Sequence, residues 1–110
     1  MTHVALTWFV ALALGAADAP PAERVLDAET WARPRNGENI LALAPVADTV
    51  RAWMGDPVRR IEIEYVAGEA GLLWAQELAG WLVALGVPSD RIVLRGTGRD
   101  ATVLVLRVVP

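Results

Sequence analysis

Hydrophobic and polar positions change period along this chain, and each change marks an element. From Arg60 to Val66 (RIEIEYV), Ile61, Ile63 and Tyr65 alternate with Glu62 and Glu64. A period of two with acids on one side predicts a strand with one wet face. Ahead of it, Leu43, Ala47, Val50, Trp53 and Met54 recur at threes and fours, with Asp48 and Arg51 off that stripe. That spacing predicts a helix. Pro45 suits its first turn, so the regular part starts near Ala44, and Gly55-Asp56-Pro57 ends it. Beyond Ala67-Gly68 a second helix is expected from about Ala70 to Leu85, closed by Gly86. Val87-Pro88-Ser89-Asp90 reads as a turn, and Arg91 to Thr97 (RIVLRGT) as a strand with Ile92 and Leu94 inward. Gly98-Arg99-Asp100 then leads into Ala101 to Val109 (ATVLVLRVV), a β-branched run expected at the centre of a sheet. Upstream, Val25 to Trp31 is expected to supply a first strand, and Arg33-Pro34-Arg35-Asn36-Gly37 is turn chemistry. The order β-α-β-α-β-β predicts an α+β two-layer sandwich.

The run Val4 to Leu14 is apolar except for Thr7. It is too short for a membrane-spanning helix, which needs about 20 residues. Its length, and the small residues Gly15-Ala16-Ala17 after it, predict a signal peptide cleaved after Ala17. The alternative is an uncleaved N-terminal anchor, the one route to membrane attachment. Pro20-Pro21 suits neither a helix core nor a sheet interior. The expected organisation is therefore a signal peptide over 1–17, a linker over 18–24 and one domain over 25–110.

Composition then removes whole classes of chemistry. Thirteen acidic residues face ten arginines and no lysine, for a formal net charge of −3. With no basic cluster, no nucleic-acid partner is expected, because phosphate binding needs grouped cations. There is no cysteine, and the lone histidine is His3. A disulfide framework, thiol catalysis, a Cys-ligated zinc and a histidine triad are all excluded. Neither metal nor cofactor is expected.

The strand RIEIEYV, followed by a helix ending WLVALGVPSDRIVLRGTG, resembles the OmpA C-terminal-like family of peptidoglycan-associated domains. Leu82, Gly86, Val87, Pro88, Asp90, Arg91, Ile92, Gly96 and Gly98 fit the family's tail, and the resemblance covers Ile61 to Gly98 and extends more loosely back to Asn36. The resemblance implies a mixed four-stranded sheet in the order 1-4-2-3, with strand 4 antiparallel to the rest and two helices on one face. It also implies a periplasmic location and contact with peptidoglycan. In that family an Asp after strand 2 pairs the ammonium of diaminopimelate, and an Arg on helix 2 takes its carboxylate as a fork. Here those positions fall on Gly68 and Trp74, and no Arg occurs from Ile61 to Asp90. The clamp chemistry is expected to be lost. A non-standard peptidoglycan site, such as Glu69 with Arg99, is the alternative.

Two further features invite function. Glu62 and Glu64 could form an acid pair for a small hydrolase. The plainer expectation is solvated acids facing Arg91, Arg95 and Arg107 on neighbouring strands. Gly96-Thr97-Gly98 opens no helix, so it reads as a turn rather than a phosphate cradle. On the second helix Ala75, Leu78, Ala79 and Leu82 centre the inward stripe, and Trp74, Trp81 and Leu85 form another beside it. Either the rings fold over the edge of a small core, or they meet a partner, an envelope protein or a second copy. The functional expectation is a non-catalytic, exported envelope module working by protein–protein contact.

Overall fold

The computed structural model describes residues 21–33 and 35–110. The expected signal peptide and residues 18–20 of the linker lie outside them. The elements run β1 (Arg24–Asp27), α1 (Ala28–Trp31), α2 (Gly37–Leu41), α3 (Ala44–Met54), β2 (Arg60–Glu64), α4 (Glu69–Ala84), β3 (Ile92–Arg95) and β4 (Val103–Val109). One 3-10 turn, Ser89–Arg91, precedes β3. The sheet is ordered β1-β4-β2-β3. β4 runs antiparallel to β1 and β2, and β3 parallel to β2. Fold class and strand order are those expected.

The sheet puts one set of alternating residues into the core. Leu26, Ile61, Ile63, Leu104, Leu106 and Val108 are buried against Val46, Val50 and Trp53 of α3 and Ala75, Leu78 and Leu82 of α4. Each fully buried Leu or Ile contributes about 1.5–3 kcal/mol by leaving water. Thr49 is buried among them without penalty, since its hydroxyl donates to the Pro45 carbonyl at 2.6 Å. Met54, expected inward, is 63% exposed; Val46 takes its place in the core.

The first strand is shorter than expected. Val25 to Trp31 does not stay extended, because the Asp27 carboxylate accepts the Thr30 N–H at 2.7 Å and starts α1. Asn36 caps α2 in the same way through the Asn39 N–H. Among the described residues the helices therefore number four instead of two. β1 also begins one residue early, at Arg24, inside the expected linker.

Helix α4 ends as its glycine predicts. Gly86 has φ +106°, the Val87 N–H donates to Leu82, and the Gly86 N–H donates to Val83. This pair of bonds satisfies the last carbonyls, and Val87 follows into the core. At the other end Gly71 lies so close to the Val66 carbonyl that a Cβ would collide with it.

Candidate functional site

Gly68 and Trp74, the positions onto which the resemblance carries the clamp, are brought together. Gly68 is the N-cap of α4 with φ +130°, a backbone region that suits glycine. Trp74 stands further along the helix, and both line a cavity of about 280 Å³ with Glu69, Ala70, Gly71 and Ala101. Among the described residues of that lining, Glu69 is the one that carries a charge. The Trp74 Nε1 is buried with no hydrogen-bond partner among the described residues. Arg99 lines a different cavity, of about 470 Å³, with Glu64, Thr97, Asp100 and Arg107. Glu69 and Arg99 therefore line different cavities.

The open face of the sheet carries a row of paired charges. Glu62 pairs with Arg95 at 2.5 Å and with Arg107 at 3.0 Å. Arg107 also reaches Glu23 at 2.8 Å and Glu64 at 3.5 Å, while the Thr97 hydroxyl donates to Glu64 at 3.0 Å. The register accounts for this arrangement, since Glu62 lies directly opposite Arg107 and Glu64 opposite Arg95. The hydrogen bond to Glu23, aided by Glu62, raises the Arg107 pKa further above its ordinary value, against the opposing effect of burial. The Glu62 side chain is 12% exposed and that of Arg107 17%. Arg91 does not join the row: its guanidinium donates to the Val58 carbonyl. Gly96-Thr97-Gly98 is a latch over Tyr65, with the Gly98 N–H donating to the Tyr65 carbonyl at 2.8 Å. A Cβ at Gly98 would stand 2.9 Å from that carbonyl group.

On α4, Trp74, Trp81 and Leu85 are partly buried and pack against the core. The residues that stand out are Leu72, Leu73 and Val83, at 36%, 58% and 47% exposure. Sequence reasoning also missed the role of Arg35. Its guanidinium lies 4.7 Å over the Trp31 ring, donates to the Trp31 carbonyl, and pairs with Glu77 of α4 at 2.7 Å. This ties the α1–α2 connection to the long helix, and no local pattern signals it. Among the described residues, no group of three or more His, Asp or Glu could hold a metal ion.

No family model, curated protein or solved structure matches this chain.

Proposed function

We propose that the chain is a non-catalytic, exported module of the cell envelope, OmpA-like in fold, which works through protein–protein contact and has lost the diaminopimelate clamp. The observation that carries this reading is the cavity beneath the start of α4. Gly68 and Trp74 line it together, and among the described residues its one charge is the carboxylate of Glu69. A cavity with an acid and no cation repels the carboxylate that the family's arginine would hold. The two glutamates of the sheet face also favour a structural role. Glycoside hydrolysis needs a carboxyl kept protonated beside a second one across a cleft. Glu62 and Glu64 lie instead on one strand beside Arg107.

Co-sedimentation with purified sacculi tests the reading. The protein should stay in the supernatant at physiological salt, with and without diaminopimelate. Saturable binding that diaminopimelate competes away would overturn it.

A further inference from the structure

We infer that this module binds a second copy of itself head to tail, the β1 edge of one copy adding as a parallel strand to the β3 edge of the next. The inference names the partner for the binding reading above and rests on it.

β1 and β3 are the two outer strands of the sheet and run in the same direction. On β1 and the residue before it, Glu23, Val25 and Asp27 alternate with Arg24 and Leu26. On β3 and the residue before it, Arg91, Val93 and Arg95 alternate with Ile92 and Leu94. One edge therefore reads acid, valine, acid, and the other arginine, valine, arginine, at the same spacing. A parallel register of Val25 on Val93 sets Asp27 against Arg95 and Glu23 against Arg91. Shifting it by two residues either way loses both of these pairs. Val25 is half exposed, and the side chains of Glu23 and Arg95 are 58% and 59% exposed.

The backbone agrees with that register. The Ala28 N–H points inward to the Thr102 carbonyl, so alternation turns the groups of Val25 and Asp27 outward. The Arg95 carbonyl points inward to the Tyr65 N–H, so those of Leu94 and the Ile92 carbonyl point outward. Among the described residues, no strand lies beyond β1 or β3 to take these groups. In the proposed register the Val25 N–H meets the Ile92 carbonyl, the Leu94 N–H meets the Val25 carbonyl, and the Asp27 N–H meets the Leu94 carbonyl. This is the evenly spaced bonding of a parallel pair.

The signs also decide against symmetric pairing. Two antiparallel β1 edges centred on Val25 would set Glu23 against Asp27, and two β3 edges centred on Val93 would set Arg91 against Arg95. Like charges directly opposed destabilise a strand pair. Charged residues ordinarily blunt an exposed edge; here they blunt each edge against its own kind and leave it open to the other. A heterologous contact of this type builds a ring or a filament.

The chain has no cysteine, so Val25→Cys and Val93→Cys in the full chain report the contact without background. Within one copy β4 and β2 stand between the two positions, about 14 Å in all, too far for a disulfide to bridge. Under mild oxidation the double variant should give a ladder of dimer, trimer and larger species. A mixture of the two single variants should give a linked heterodimer, and each alone should give no linked species. Glu23→Gln with Asp27→Asn, which keeps a cap for α1, should cut the linked fraction about fivefold. No heterodimer from folded single variants, or self-linked single variants as abundant as the mixture, overturns the proposal. That failure removes the second copy as partner, whereas the binding reading itself falls to the sacculus experiment.

Discussion

Replacing Arg107 with Met tests whether the open face is a structural charge row. The substitution keeps most of the aliphatic stem and removes a guanidinium that serves Glu23, Glu62 and Glu64 together. An exposed ion pair is worth about 0.2–1 kcal/mol, and breaking a buried one costs about 3–5 kcal/mol. With side-chain exposures of 17% for Arg107 and 12% for Glu62, the pair stands between those limits. The expected loss is about 2 kcal/mol, which for a domain of this size lowers the Tm by about 10 °C. Urea and thermal unfolding at several pH values measure it. The raised pKa of Arg107 means its contribution is fully present below the ordinary guanidinium range and is lost only at more alkaline pH. The parent should therefore lose nothing from this group between pH 5 and 9. An unchanged melt of the variant at pH 7 would refute the reasoning.

Trp74→Phe should cost about 1 kcal/mol less than Trp81→Phe, because it removes a buried N–H that has no partner, while Trp81 carries no such orphan. Urea titration of the two variants side by side measures the difference, and equal costs would remove the orphan as its cause. The Thr30 backbone N–H holds the Asp27 carboxyl below its ordinary pKa. Its contribution is therefore present above the ordinary aspartate value and lost as the pH falls through the depressed one. Asp27→Ala should destabilise the protein at neutral pH and progressively less on acidification. Asp27→Asn, which can still cap, should stay close to the parent in the same titration.

The parts of the fold that a sequence shows are those in which burial writes a period. Alternation over Ile61, Glu62, Ile63 and Glu64 placed β2, and the threes and fours from Leu43 to Met54, with Pro45 in the first turn, placed α3. Where a single local hydrogen bond decides, the period is silent or misleading. Val25 to Trp31 looks extended by its apolar content, yet one carboxylate at Asp27 bends it into α1. Asp100 does the same ahead of β4 by bonding the N–H and hydroxyl of Thr102, so the strand starts at Val103 instead of Ala101. The candidate site divides likewise. Counting along the motif brought Gly68 and Trp74 to one cavity, and charge alternation brought Glu62 to Arg95 and Arg107. Arg91 escaped because its acceptor is a backbone carbonyl at Val58, and every residue has one of those. On α4 the tryptophans drew notice by their size, but helix geometry turns Leu72, Leu73 and Val83 outward instead.

The strand order carries a consequence for the order of events during synthesis. β4, made last of the four strands, lies between β1, made first, and β2. Until residues 103–109 emerge, β1 has no neighbour at all, and the one strand pair open to the growing chain is β2 with β3 across α4. Half of the sheet-side core waits with it, since Leu104, Leu106 and Val108 all belong to that strand. Pairing Leu26 with Leu104 closes a loop of nearly the whole domain in one step, which slows folding and makes it cooperative. A chain built this way stays open while it is being made, and it closes once, when its last strand slides between the first two.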